Sequence, residues 1–139
     1  MRSKPAGRGW ILRIDRGEEI AGTLAAFCAE KGITLGTVQG IGAVGTVVIG
    51  LFDTKAKEYR SKKLEGDFEI TSLAGNITTM DEKPYLHLHV TLSDASYHAW
   101  GGHLTSAVVS GTCEVVIRVI EGKVGRRFDA AVGLNVLDL

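Results

Sequence analysis

Tyr85-Leu86-His87-Leu88-His89-Val90-Thr91-Leu92 changes character at every step, an aliphatic side chain following each polar or aromatic one. Successive side chains of an extended strand point to opposite faces, so Leu86, Leu88, Val90 and Leu92 line one side. Tyr85, His87, His89 and Thr91 line the other. Two imidazoles at i and i+2 on one pleated surface are close enough to share a small cation. His103 follows behind Gly101-Gly102, a pair that lets the backbone turn sharply. Three neutral imidazoles suit Zn²⁺, Fe²⁺, Ni²⁺ or Cu²⁺, with Zn²⁺ the first expectation, and leave one coordination position open. The plainer reading is a half-solvated strand whose polar face carries two histidines; the Gly-Gly-His tips the balance toward a metal.

The β pattern extends outward from this stretch. Trp10-Ile11-Leu12-Arg13-Ile14 is β-branched and aromatic and reads as a first strand. A helix is predicted over residues 18–31, where Ile20, Leu24, Phe27 and Cys28 recur at i, i+4, i+7 and i+8 as one apolar stripe. Glu18 and Glu19 in its first turn and Lys31 in its last have the signs the helix dipole favours, and Gly32 supplies the stop. Residues 33–40 and 44–52 are predicted as two strands around a glycine-rich turn. Further strands are predicted over 59–64, 67–77, 85–92, 112–121 and 124–128, with turn signals such as Glu65-Gly66 and Ser93-Asp94 between them. Residues 103–110 read as a short helix or a loop. One helix and seven or eight strands give an α+β class: a mainly antiparallel sheet with one principal helix packed on it.

Gly40-Ile41-Gly42-Ala43-Val44-Gly45 fits the G-x-G-x-x-G pattern of dinucleotide sites. That motif needs a helix N-terminus behind it to hold a pyrophosphate, and the β-branched run Thr46-Val47-Val48-Ile49 disfavours one. A tight hairpin is expected there instead.

Residues 1–8, with Arg2, Lys4 and Arg8, are expected to form a flexible N-terminus, and residues 9–139 a single domain. Sixteen basic and sixteen acidic residues cancel, which disfavours strong sequence-independent attraction to nucleic-acid phosphates. No apolar run approaches membrane-spanning length, and the N-terminus lacks the apolar core of a signal peptide. Cys28 and Cys113, far apart within apolar patterns, read as buried free thiols of a reducing compartment. A cytoplasmic protein with no membrane partner is the expectation.

Several motifs follow one another in a recognisable order. They are Gly40-Ile41-Gly42-Ala43, Phe68-Glu69-Ile70, Leu73-Ala74-Gly75-Asn76-Ile77, Leu86-His87-Leu88-His89-Val90 and Gly101-Gly102-His103-Leu104. Thr112-Cys113-Glu114-Val115-Val116, Arg126 with Asp129, and Gly133-Leu134 complete the set. Together they resemble the PPC (plants and prokaryotes conserved) domain, found in plant AT-hook nuclear-localised proteins and alone in prokaryotes. The resemblance spans nearly the whole chain. It implies an α/β fold with a central antiparallel sheet, assembly as a homotrimer, and a His-rich metal site carried here by His87, His89 and His103. It also brings a DNA-binding, regulatory description. In the plant proteins the AT-hook makes that contact through an Arg-Gly-Arg-Pro core; this chain has Lys4-Pro5-Ala6-Gly7-Arg8-Gly9. The plant partner-binding motif Gly-Arg-Phe-Glu-Ile-Leu stands here as Gly66-Asp67-Phe68-Glu69-Ile70-Thr71, an acid replacing the arginine.

Glu114 would share an outward face with Thr112, Val116 and Arg118. It is either solvated, paired with Arg118, or placed to orient a metal-bound imidazole; Glu69 is the other candidate for that supporting role. His98 is expected at the surface, and Arg126 with Asp129 in an ion pair or an interface contact. No nucleophile constellation is legible, so no catalytic residue is assigned. Three functions stay open: an oligomeric metal-binding protein without catalysis, a metal-dependent enzyme, and a DNA-associated protein.

Overall fold

Apolar alternation runs through stretches far longer than an ordinary strand, and the strands are correspondingly long. The computed structural model describes residues 1–139. In chain order the elements are β1 (Arg2–Ala6), β2 (Gly9–Asp15), α1 (Ile20–Lys31), β3 (Gly36–Asp53), β4 (Glu58–Met80), β5 (Lys83–Ser93), β6 (Ala99–Val119), β7 (Gly125–Asp129) and β8 (Leu134–Asp138). They form one sheet in the order β1-β2-β6-β3-β4-β7-β8, with β5 pairing both β4 and β6. Since β3 also pairs β4 and β6, the strands β3 to β6 form a closed circuit. All pairings are antiparallel except a parallel contact between β4 and β7 at Thr79 and Gly125. The mainly antiparallel α+β architecture with one helix is as the sequence indicated.

The helix starts two residues later than its charge pattern suggested, at Ile20. Glu19 is the N-cap: its carboxylate accepts from the backbone N–H groups of Ala21 (2.9 Å) and Gly22 (2.6 Å), two donors that have no partner inside the helix. It also accepts from the Ala107 N–H of β6 at 3.1 Å, so one side chain both starts the helix and ties it to the sheet. Gly32 ends α1 in the left-handed conformation, φ 63°, which costs a glycine little. Ile20, Leu24, Phe27 and Cys28 are buried and belong to one apolar cluster with residues of β2 to β6. Burying a side chain of this size stabilises the fold by roughly 1.5–3 kcal/mol.

The expected turns at residues 40–45 and 65–66 are bends within continuous strands. The β3–β4 pairing slips by one residue between Gly40 and Gly42 and again between Val44 and Thr46, with the ladder resuming on both sides. Such bulges bend a strand without ending it. The stretch 103–110, left between helix and loop, is β6. A bulge explains the ambiguity: Val48 faces Ser106 and Ile49 faces Leu104, so Thr105 is skipped and the alternation breaks between Leu104 and Ala107. Both of those side chains are buried. Where a flexible N-terminus was expected, Arg2–Ala6 form an exposed edge strand paired in register with β2, from Arg2 opposite Arg13 to Ala6 opposite Gly9. No helix is long and apolar enough to cross a membrane.

Candidate metal centre

The circuit of strands is what assembles the histidines. On β5, Leu88, Val90 and Leu92 are buried, so the period of two turns His87 and His89 away from the core. β5 pairs with β6 such that His89 lies directly opposite His103. Side chains opposite one another in an antiparallel pair stand about 4.5–5.5 Å apart at Cβ, close enough for their rings to meet. The Nε2 atoms of His87 and His89 are 3.2 Å apart, and one ring nitrogen from each of the three histidines lies within 4.8 Å of the others. Zn²⁺ held at roughly 2.0–2.1 Å by tetrahedral nitrogens sets them about 3.3 Å apart, so the His87–His89 pair already has the right separation. Nδ1 of His103 is buried without any hydrogen-bond partner. Such an atom costs about 1–3 kcal/mol when left unsatisfied, and a cation would satisfy it. The residues present therefore fit a divalent ion.

Burial, followed by the charge of Arg126 and the other two imidazoles, pulls the His87 pKa below its ordinary value. Burial and then His89 do the same for His103. Both shifts favour the neutral ring, which is the form that binds metal.

The histidines open onto a cleft of about 720 Å³, walled by residues from β3, β4 and the β7–β8 hairpin. The Tyr59 ring lies 5.1 Å from that of His103. Arg126 crosses from β7 to the sheet: its guanidinium donates to Thr78 Oγ1 (2.8 Å), Asn76 Oδ1 (2.9 Å) and the Asn135 carbonyl (2.8 Å). It also lies 4.7 Å from the centre of the Tyr85 ring. The expected ion pair with Asp129 does not form. Asp129 instead accepts from the N–H groups of Ala131 and Val132 and faces Arg127, because neighbours on a strand point to opposite sides.

The two carboxylates proposed to support the imidazoles lie elsewhere. Glu114 is exposed between Arg13 of β2 and Ile41 of β3, eleven residues beyond His103 along β6. Glu69 sits opposite Ala43 and Ser93, five positions along β4 from the residue that pairs with His89. Neither lines the cleft. His98 is exposed, 3.7 Å from Asp94. Cys28 and Cys113 are free and buried; burial pushes each thiol up to about 11, leaving them unreactive near neutral pH. Arg126, Tyr59 and Asn135 were not read as members of the site. Only the motif containing Arg126 and Gly133-Leu134 pointed to that part of the chain.

A closed antiparallel sheet with one helix, carrying three convergent histidines, defines a small α+β class of domain. The chain belongs to the Plants and Prokaryotes Conserved (PCC) domain family, whose model matches residues 1–121. Among solved structures it is similar to a candidate DNA-binding protein from Bacteroides thetaiotaomicron, with 39% identity, TM-score 0.96, and 99% of this chain and 96% of that one covered. It is also similar to a metal-containing protein from Archaeoglobus fulgidus, with 40% identity, TM-score 0.88, and 95% and 94% covered. The bifunctional protein GlmU of a Synechococcus strain matches at 27% identity over 129 residues, 91% of this chain. The chain spans only about a fifth of the length of such curated relatives, 20% in that case.

Proposed function

We propose that this is an oligomeric metal-binding protein in which His87, His89 and His103 hold one divalent cation, Zn²⁺ first among the candidates. The observation that carries the reading is the convergence of three ring nitrogens within 4.8 Å, one of them on His103, whose Nδ1 is buried and unpartnered. The similar Archaeoglobus protein, described as metal-containing, supports it. Titration with Zn²⁺ against a competing chelator tests it: wild type should take up one ion per chain, and His89→Ala should bind it more than about tenfold more weakly, since losing even an outer hydrogen-bonding partner of a ligand costs that much. Uptake unchanged by His89→Ala would refute the site.

A metal-dependent enzyme is the second reading, favoured by the cleft beside the histidines. His87, His89 and His103 would hold the ion, which would supply the acidification of a bound water toward neutral pH. The reading assigns no reaction. A DNA-associated role has the description of the Bacteroides relative behind it and the basic edge of Arg2, Lys4 and Arg13. A formal net charge of +0 works against it.

Oligomerisation, a trimer in this reading, would use the solvent face of β2, β3 and β6. Ile11 (45% exposed) pairs directly with Val116 (41%), and Ile41 (57%) lies one strand over. Residues 9–139 act as one folding unit in this reading. Free, buried cysteines suit a reducing, cytoplasmic setting.

A further inference from the structure

We propose that the cleft beside the three histidines binds a small organic carboxylate, its carboxyl group facing Arg126 and the histidines and its apolar body against Phe52 and Phe128. The inference rests on the metal reading above and adds to it the class of ligand.

Charge is the first argument. Arg126 is half-buried and makes no ion pair: its three hydrogen bonds go to a hydroxyl, an amide oxygen and a backbone carbonyl, all neutral. Those use three of the five N–H groups of a guanidinium, so two remain for a ligand. No aspartate or glutamate lines the cleft. Neutral imidazoles leave the double charge of a bound divalent ion uncompensated. The cleft then faces inward with about three positive charges and no protein anion, a field that selects a negatively charged ligand.

Geometry is the second. Arg126 is held from both sides, stacked on Tyr85 and hydrogen-bonded to β4 and β8, so its planar fork is pre-set for the paired oxygens of a carboxylate. The lining gives the third argument. Phe52, Leu51 and Phe128 supply apolar wall, Leu51 at 72% and Phe128 at 61% exposure, and at about 720 Å³ the space exceeds what a bare inorganic anion fills. Arg126 is the only basic side chain in it apart from the histidines, and no helix N-terminus opens onto it, which disfavours a polyphosphate.

The test loads the chain with Co²⁺, whose visible spectrum reports a change of oxygen ligand, and titrates it with isovalerate, with the neutral amide of isovalerate, and with inorganic phosphate. Isovalerate should bind saturably and at least about tenfold more tightly than its amide, the scale of a charge-assisted hydrogen bond. Arg126→Gln should weaken isovalerate by about tenfold while still holding one cobalt per chain, and Arg126→Lys should fall between. Hydrogen exchange over residues 125–138 reports whether the hairpin stays in place in each variant. Equal isovalerate affinity in wild type and in a folded, cobalt-loaded Arg126→Gln overturns the proposal, as does tighter binding of phosphate than of isovalerate. If Arg126→Gln fails to fold, unchanged affinity in Arg126→Lys overturns it instead. Wild type that takes up no cobalt removes the metal reading and this inference together; cobalt uptake without isovalerate binding removes only this inference.

Discussion

Each of the three histidines is where it is for a local reason: two by the period of a strand, the third by a cross-strand register that places it opposite His89. The first reason is legible in sequence and the second is not, because register depends on a partner strand. Arg126 shows the same limit more sharply. Its partners Asn76 and Thr78 lie 50 and 48 positions away, so the motif around Arg126 marks that part of the chain without showing that it reaches the histidines. Glu114 misled for the converse reason. An acid on an otherwise apolar strand invites a functional reading, whereas here it occupies an ordinary exposed face beside Arg13. The lowered pKa values of His87 and His103 give a prediction with a definite sign. In the metal-free protein the unfolded chain titrates near pH 6.5 while the folded one holds these rings neutral to lower pH. The unfolded state therefore binds more protons below about pH 6.5, and stability falls as pH drops through that window. Urea unfolding of metal-free wild type and His87→Asn at pH 8 and pH 5.5, on the order of one unit either side of that midpoint, should show a smaller acid loss in the variant. An equal loss in both would show that His87 is not one of the groups responsible.

At the scale of elements, α1 was readable because its stripe and its glycine stop are local signals, and only its start moved, to the Glu19 cap. The bulged strands were not, since a bulge and a turn recruit the same glycines and only the pairing beyond them tells the two apart. Two predictions belong here. Leu24→Ala, at a fully buried position facing the sheet, should cost about 2–5 kcal/mol in chemical denaturation, with the cleft unaltered. Glu19→Ala should cost about 0.5–2 kcal/mol as a lost cap, and toward the upper end because the Ala107 N–H of β6 loses its acceptor too. A cost near zero would mean that water replaces the carboxylate at both places. The β7–β8 hairpin touches the sheet ladder at one residue pair and is otherwise tied on mainly by side chains: Arg126, Lys57 donating to the Ala130 carbonyl, Asn135 donating to the Tyr85 hydroxyl, and the Thr79 contacts to Val124. Its amides should exchange before those of β3 to β6.

For the whole molecule, the outward Ile11, Ile41 and Val116 form a patch that a monomer has no reason to keep dry. Sedimentation should give a trimer, and Ile41→Glu should shift it toward monomer; a concentration-independent monomer for wild type would refute the assembly. The family fold was readable because its motifs are spread along nearly the entire chain, from β3 to β8. The exposed apolar patch was not, because a patch on one face of a sheet emerges only after the strands are laid side by side. The central claim is that this protein carries one divalent cation per chain on His87, His89 and His103. Native mass spectrometry of the purified protein, with elemental analysis of the same sample, tests it most directly. One divalent ion per chain in wild type, and its loss in a folded His89→Ala, is the predicted result. Wild type without metal, or the same metal content in both proteins, would contradict it.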